Sequence, residues 1–286
     1  MRSIHYYQPD SIKEACDLLG TLGDTAGVLA GGTDVVVRLN KDKSPYQTLV
    51  NIKQLTELSY IRVQEDGIAI GALTKLKQIA EDKQIQTAFP AFSDAVHSIG
   101  TNQIRNLGTL GGNLCNASPC ADSVCPLIVL GARFTLTDGS ETREVAAEDF
   151  FTGPGKTVKR QNELLTQVFL PFAPEGTRQA FRKLGPRRAA DIAIINMAAA
   201  IVADADGQIQ DARIAFGSVA PTAIRARSTE QFLIGKRCGE IDLEAAGRSA
   251  AAEVRPITDV RASLEYRRKM ADILSQELLE SLTQTR

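Results

Sequence analysis

The sequence of 286 residues predicts an α+β fold, in which a domain of two subdomains is followed by a C-terminal domain. Three observations support this prediction. Strand and helix patterns alternate over about residues 1–55, hairpin patterns occupy 56–173, and long apolar strands followed by helices occupy 174–286. Because proline, glycine and charged residues interrupt the pattern between Pro171 and Gly176, the boundary between domains 1–173 and 174–286 is expected there.

The first subdomain is predicted to be a small α/β unit. Ser11 and Glu14 have the spacing of a capping box, and apolar residues recur at helical intervals as far as Leu22. A helix is therefore expected from about Ser11 to Leu22. The strands predicted around it are Ile4–Tyr7, Gly27–Ala30 and Thr48–Ile52.

The second subdomain is predicted to contain two hairpins and mostly antiparallel pairing. Turn signals at Glu65-Asp66-Gly67 and Asp138-Gly139 each separate two apolar stretches. The strands expected here are Tyr60–Val63, Ile68–Gly71, Leu127–Thr137, Glu141–Val145 and Glu163–Leu170, the last of which is ended by Pro171. The helices expected between the hairpins are Thr74–Ala80 and Phe92–Ile99.

The C-terminal domain begins with apolar stretches long enough for buried strands. These predicted strands are Ala180–Leu184, Ala193–Ala203 and Ala212–Val219. Three helices are expected to follow, the longest from about Ser263 to Leu282.

Two pairs of glycines carry the strongest functional signal. The first glycine motif is Ala30-Gly31-Gly32-Thr33-Asp34, and the second is Thr109-Leu110-Gly111-Gly112-Asn113. Glycine lacks a Cβ atom, so each pair permits positive φ angles and lets backbone N–H groups approach an anion. Thr33 and Asn113 would add side-chain hydrogen bonds. Either motif alone is typical of an ordinary tight turn, whereas the two together indicate loops that hold one phosphate-rich ligand.

Two further features each have two interpretations at this point. Asp122 lies nine residues after Asn113, where its carboxylate is placed to bind a ribose hydroxyl, or else to cap a helix or face solvent. Cys115, Cys120 and Cys125 are spaced by five residues. A cubane iron–sulfur cluster needs four thiolates, so we interpret the three as packing residues, with cluster binding as the alternative.

Composition excludes several classes of partner. The formal net charge is −1 and the pI is about 6.2, so the chain has no basic surplus with which to bind nucleic acid. No window approaches the roughly 20 apolar residues of a membrane span. Met1–Pro9 contains no apolar stretch of signal-peptide length. We therefore expect a cytoplasmic protein without a membrane span, whose five cysteines are thiols.

Other common site motifs fit poorly. Neither glycine motif has the Gly-x-Gly-x-x-Gly spacing of a Rossmann dinucleotide site. Gly155-Lys156-Thr157 resembles the end of a Walker A loop, but Phe150 stands where the first glycine is required. His5 and His97 are the only histidines, which disfavours histidine-rich zinc sites and serine-histidine-acid triads.

Three separated segments together resemble the FAD-binding medium subunit of the molybdenum hydroxylases, the family of xanthine dehydrogenase and carbon monoxide dehydrogenase. They are the first glycine motif, the run from Gln103 to Asn113 continued by Asn116-Ala117-Ser118-Pro119 and Asp122, and Asp259–Arg268. The resemblance covers essentially the whole chain in the same order. It implies a two-subdomain FAD-binding domain of the vanillyl-alcohol-oxidase-like (PCMH) type, followed by a C-terminal domain with a small antiparallel sheet and helices.

The resemblance also implies which residues bind FAD, and it implies no catalytic or metal-binding residue in this chain. Asp122 would bind the sugar portion, and Lys183 would stabilise charge on the reduced isoalloxazine. Ile99 is a departure, because some relatives place an aromatic ring there. The residues that would supply amides and hydroxyls to the pyrophosphate are Leu29, Ala30, Gly31, Gly32, Thr33, Asp34, Val35, Val36, Thr109, Leu110, Gly111, Gly112 and Asn113. The further positions close to the flavin are Thr101, Leu165 and Lys183.

In function, the resemblance implies an electron-transfer subunit of an oxidoreductase. Its FAD would take electrons from [2Fe-2S] clusters on a small iron–sulfur subunit and pass them to an external acceptor. A large molybdopterin-binding subunit would oxidise the substrate, and the three chains would form a heterotrimer or its dimer. Two alternatives stay open: a stand-alone FAD-dependent oxidoreductase of the same broad fold, and a non-catalytic module in which the glycine pairs are merely turns.

Overall fold

The computed structural model describes residues 4–41, 43–187 and 190–284. The outer ends of the two predicted domains, residues 1–3 and 285–286, lie outside the described residues. Strands β1 to β14 are His5–Tyr7, Ala26–Leu29, Thr48–Asn51, Ile61–Val63, Gly67–Gly71, Arg133–Thr137, Thr142–Ala146, Phe151–Gly153, Lys156–Thr157, Leu164–Pro171, Thr177–Leu184, Ile195–Ala203, Ile209–Gly217 and Ile224–Arg225. Helices α1 to α12 are Ile12–Leu22, Val35–Asn40, Leu76–Glu81, Lys83–Ala88, Pro90–His97, Asn102–Leu107, Leu110–Cys115, Val124–Val129, Ala147–Phe150, Arg227–Leu233, Leu243–Glu253 and Leu264–Thr283.

The N-terminal region forms a three-stranded parallel sheet in the order β1-β3-β2, with α1 packed against it. Ser11 caps α1 as predicted, because its hydroxyl accepts a hydrogen bond from the N–H of Glu14. Ala15 and Leu19 of α1 are buried with Val50 of β3 in one apolar cluster. This packing fixes the end of β2, and the first glycine motif follows from there.

The second region is built on a five-stranded sheet in the order β4-β5-β10-β6-β7. The described pairings within it are antiparallel, which confirms both predicted hairpins. Ile70 and Phe134 of this sheet are buried in the same cluster as Phe92 of α5 and Leu127 of α8. The helices α3, α5 and α8 therefore share one core with the sheet.

The C-terminal strands form an antiparallel sheet in the order β11-β12-β13-β14. The central strand β12 is buried on both faces. Ala198 and Ala200 join the cluster that contains α5 and α8, whereas Met197 and Ala199 join the cluster of α11 and α12. Burial between two layers explains why this strand appears in the sequence as an uninterrupted apolar run.

Three local predictions are wrong. The stretch predicted as a strand from Leu127 to Thr137 begins within α8, and only Arg133–Thr137 is extended. Every residue of α8 is buried, so the sequence shows neither helical nor strand periodicity there. The helix expected from Thr74 begins at Leu76, because the hydroxyl of Thr74 donates to the carbonyl of Tyr60 instead. The second glycine motif is also not a turn, since α7 begins directly after Thr109.

Within the described ranges, no helix combines the length and the apolar character needed to cross a bilayer.

Candidate functional site

The first glycine motif connects β2 to α2 and leaves its backbone donors unpaired. Gly32 has a φ angle of 81°, a conformation that favours glycine, whereas Gly31 does not have a positive φ. Gly31 is required for packing, because a Cβ atom there would lie 2.3 Å from the carbonyl oxygen of Leu107. The N–H groups of residues 31–34 donate to no acceptor in the described ranges.

The second glycine motif forms the start of α7 and uses its backbone donors within the chain. The N–H of Leu110 donates to the carbonyl of Thr74 at 3.1 Å, and that of Gly111 to the carbonyl of Ala72 at 2.8 Å. Thr109 caps the helix, with its hydroxyl accepting from Gly112 at 3.1 Å and its carbonyl accepting from Asn113 at 3.0 Å. A Cβ atom on Gly111 would lie 2.7 Å from that of Ala72, so glycine permits this close contact.

The two motifs border one cavity of about 260 Å³. Leu73, Leu76 and Leu164 contribute to its apolar walls, and Gly155 and Gln161 line it from the segment before β10. The Nε2 atom of Gln161 donates to the carbonyl of Gly23 at 2.7 Å, which ties this segment to the N-terminal sheet region. The predicted site residues that line the cavity are Ala30, Gly31, Gly32, Thr33, Asp34, Val35, Thr109, Gly111, Gly112, Asn113 and Leu165.

Other predicted site residues lie outside the cavity lining. Leu29 is the buried last residue of β2, and Val36 is exposed on α2. Leu110 is fully buried in the core, and Thr101 caps α6 by accepting a hydrogen bond from the N–H of Ile104. The side chains of Asp122 and Lys183 are nearly buried outside the cavity lining.

Asp122 and Lys183 form a buried ion pair. Lys183 Nζ lies 2.7 Å from Asp122 Oδ2 and 3.3 Å from Asp191 Oδ1. It also donates to the carbonyls of Ser98 and Asp191, both at 3.1 Å. Burial raises the pKa of the Asp122 carboxyl, although the charge of Lys183 and the hydrogen bonds from Lys183 and Asn196 act in the opposite direction. The three ammonium protons of Lys183 are therefore satisfied by oxygen atoms of Asp122, Ser98 and Asp191.

This ion pair adjoins the cavity through neighbouring residues. Ser98, whose carbonyl accepts from Lys183, directly precedes Ile99, which lines the cavity. The Ile99 side chain is aliphatic, at a position where some relatives were expected to carry an aromatic ring. Asn113 also connects the two regions, because its Oδ1 accepts a hydrogen bond of 2.6 Å from the hydroxyl of Ser123.

The three closely spaced cysteines have separate environments. Cys115 lines the cavity, and burial raises the pKa of its thiol to about 11. Cys125 is buried against the Asn196 side chain, and burial raises the pKa of its thiol. Cys120 Sγ accepts a hydrogen bond of 3.2 Å from Arg261. Among the described residues, no group of three or more His, Cys, Asp or Glu side chains is placed to hold a metal ion.

A family model described as the FAD binding domain in molybdopterin dehydrogenase matches residues 2–173. The chain belongs to the molybdenum hydroxylase family, as an FAD-binding medium subunit. A second model, the CO dehydrogenase flavoprotein C-terminal domain, matches residues 179–282. FAD is therefore the cofactor of this subunit, and the subunit is part of an oxidoreductase.

Relatives of this FAD-binding subunit match over nearly its full length. It is 35% identical over 276 residues to a xanthine dehydrogenase FAD-binding subunit of Escherichia coli O157:H7, covering 96% of this chain and 94% of that one. It is 30% identical over 276 residues to the carbon monoxide dehydrogenase medium chain of Hydrogenophaga pseudoflava, covering 96% of each. A solved carbon monoxide dehydrogenase structure from Hydrogenophaga pseudoflava superposes with a TM-score of 0.92 and 31% identity, covering 98% of this chain and 96% of that one. These matches confirm the family and fold class that the sequence predicts.

The residues of the cavity fit FAD. Its diphosphate needs hydrogen-bond donors, and the unpaired N–H groups of residues 31–34 provide them. Its ring system needs apolar walls, which the leucines at 73, 76 and 164 provide.

Several cavity residues were missed by the sequence reasoning. Arg38 donates a side-chain hydrogen bond of 2.6 Å to Asn116, which belongs to the family motif but was given no role of its own. Lys159 and Gln161 follow Gly155-Lys156-Thr157, for which no site was expected. Arg38 lies four residues after Asp34, about one helical turn, so recognising the short helix α2 would have pointed to it. No local sequence pattern pointed to residues 159 and 161. Their position at the cavity depends on contacts with distant segments, such as the hydrogen bond from Gln161 to Gly23.

Proposed function

We propose that this subunit carries electrons between chains: its FAD receives them from [2Fe-2S] clusters of a small partner and gives them to an external acceptor. Oxidation of the organic substrate takes place at molybdenum on a large partner, and the three chains form a heterotrimer or its dimer. The relatives' names support this proposal, since one is an FAD-binding subunit and another a medium chain. All five cysteines are free thiols, as expected for the cytoplasm that we propose as its location.

The observation that carries the proposal is the cavity between the two glycine motifs, with four unpaired N–H groups along one side. When bound there, FAD supplies the capacity to accept and release electrons singly or in pairs. We propose that the N–H groups of residues 31–34 and the hydroxyl of Thr33 bind the diphosphate. The side chain of Asn113 adds a donor from the other side, and the leucine walls exclude water from the ring system.

We propose supporting roles for the remaining predicted residues. Leu29 and Val36 position the ends of the first motif, and Leu110 holds the second in the core. Thr101 and Leu165 shape the flavin end of the site. The Asp122 and Lys183 pair supports that end electrostatically from behind. The division into domains 1–173 and 174–286, with subdomains of about 1–55 and 56–173, is part of the same proposal.

Purification of the full chain tests this function. We expect a flavin absorption spectrum, FAD released on denaturation at one molecule per chain, and copurification with an iron–sulfur chain and a molybdopterin chain when the partners are coexpressed. Reduction of the FAD by substrate should require both partners. Substrate turnover by the isolated chain would instead support the stand-alone oxidoreductase, and a chain that binds no flavin would contradict both.

A further inference from the structure

The two glycine motifs are joined by a bridge of three side chains. Arg38 Nη2 donates to Asn116 Oδ1 at 2.6 Å, and Asn116 Nδ2 donates to Asp34 Oδ1 at 3.4 Å. Asp34 ends the first motif, and Asn116 follows the last residue of α7. All three residues of this bridge line the cavity. The guanidinium of Arg38 is therefore held at the cavity between the two motifs.

Arg38 is also the cation that is most available to a ligand there. The charged residues of the cavity lining are Asp34, Arg38 and Lys159, which sum to one positive charge. Lys159 Nζ already donates to the carbonyls of Arg160 at 3.0 Å and Glu163 at 3.1 Å. A guanidinium has five N–H donors, and in the described ranges Arg38 uses its side-chain donors only toward Asn116.

The chemistry of FAD makes this cation useful. The diphosphate carries two negative charges, whereas backbone N–H groups contribute dipoles without net charge. A guanidinium binds phosphate oxygens with a planar fork of donors, and such charge-assisted hydrogen bonds are stronger than neutral ones. The single phosphate of FMN also carries up to two negative charges near pH 7, whereas riboflavin has no phosphate. A guanidinium at this point would therefore favour FAD and FMN over riboflavin.

We propose that Arg38 is a specificity-determining residue that binds the diphosphate of FAD and makes the site select phosphorylated flavins over riboflavin. Asn116 is a positioning residue, because it acts by orienting the guanidinium of Arg38. This inference rests on the proposed use of the first glycine motif as the diphosphate site. A purely structural role for the bridge predicts a different outcome, in which replacement of Arg38 weakens the binding of all three flavins equally.

Flavin titration of the flavin-stripped full chain tests the proposal. Quenching of flavin fluorescence is measured for FAD, FMN and riboflavin with the wild type, Arg38→Met, Arg38→Lys, Asn116→Ala and the double variant Arg38→Met/Asn116→Ala. Arg62→Met is the matched control, because Arg62 lies over the ring of Tyr60 and outside the cavity lining. Arg62→Met removes the same positive charge and makes the same change of side-chain shape as Arg38→Met, but on an exposed surface away from the cavity.

We expect Arg38→Met to weaken FAD binding about 10- to 100-fold, the range for loss of a hydrogen bond to a charged group. Binding of FMN should also weaken, binding of riboflavin should be unaffected, and the loss for FAD should shrink as salt is added. Arg38→Lys should restore part of the affinity. Asn116→Ala should weaken FAD binding in the wild-type background, and it should have a much smaller effect when Arg38 is already replaced by Met.

Unchanged FAD affinity in Arg38→Met, equal loss for all three flavins, or the same loss in Arg62→Met would overturn the proposal. A wild-type chain that binds no flavin at all would instead overturn the proposed function, so the two failures are distinguishable.

Discussion

In the first glycine motif the N–H groups of residues 31–34 have no acceptor in the described ranges, whereas in the second every N–H from Leu110 to Asn113 is bonded within the chain. The same Gly-Gly pattern therefore has two physical uses. The first motif leaves its donors free at the cavity, as the proposed diphosphate site requires, and Gly32 has a positive φ angle there. The second motif allows close packing on Ala72, and it borders the cavity with its donors already bonded.

The largest expected effect concerns the buried ion pair of Lys183 and Asp122, which is next to Ser123, a hydrogen-bond partner of Asn113 in the second motif. Lys183→Met leaves the buried carboxylates of Asp122 and Asp191 without their cation. We expect the free energy of unfolding to fall by about 3–5 kcal/mol, the range for a broken buried ion pair. Urea unfolding followed by circular dichroism measures this change.

The control for this prediction is Lys13→Met, because Lys13 pairs with Asp17 on the exposed face of α1. Exposed pairs contribute little, so its unfolding curve should stay close to that of the wild type. If Lys183→Met were no more destabilising than the control, the second motif would not depend on a rigid polar support.

Packing of the second motif should produce the next largest effect. Gly111→Ala would place a Cβ atom 2.7 Å from that of Ala72 and 2.9 Å from its carbonyl oxygen. We expect a loss of about 1–3 kcal/mol in stability, as for other overpacked cores. Gly20→Ala in α1 is the control, since its added Cβ would come no closer than 3.3 Å to a neighbouring atom, the Cβ of Asn162. Equal losses in thermal unfolding of the two variants would contradict the close-packing role.

In the first motif, Gly32→Ala should affect ligand binding more than it affects folding. A φ angle of 81° costs a residue with a Cβ atom about 1–2 kcal/mol. Relaxation of that strain reorients the N–H groups that face the cavity. We therefore expect weaker FAD binding in a titration, with a modest loss of stability. A variant that binds FAD normally would show that these N–H groups do not hold the diphosphate.

The smallest expected effect is the loss of the cap on α7. Thr109→Ala removes the acceptor for the N–H of Gly112 and should cost about 1 kcal/mol of stability. Thr109→Ser keeps the hydroxyl and should behave as the wild type in the same urea titration. If serine did not preserve stability, the contribution of Thr109 would lie in its methyl group and not in the cap.

The elements predicted correctly are those in which the pattern of apolar and turn residues matches the faces that are buried in the structure. The capping residue Ser11, both hairpins and the strands of the C-terminal sheet were confirmed because alternation, turn residues and buried faces agree there. α8 was mistaken for a strand, since a helix buried on all sides shows no period.

The site was predictable only in part. The sequence predicted that the two glycine motifs act together, and the structure brings both to one cavity, but their different uses of backbone donors could not be predicted. Glycine disfavours helices, and α7 forms in spite of two glycines because Gly111 fits against Ala72, a tertiary contact. The partners of Lys183 likewise come from distant segments, so no local pattern indicates that its protons are already bound.

Hydrogen exchange of individual backbone amides, measured by NMR on the full chain with and without FAD, tests the contrast between the motifs most directly. We predict that FAD strongly slows exchange at residues 31–34 and changes little at residues 110–113, whose N–H groups are already bonded. Slowing confined to residues 110–113, or no slowing at residues 31–34 in the FAD-bound chain, would contradict the account.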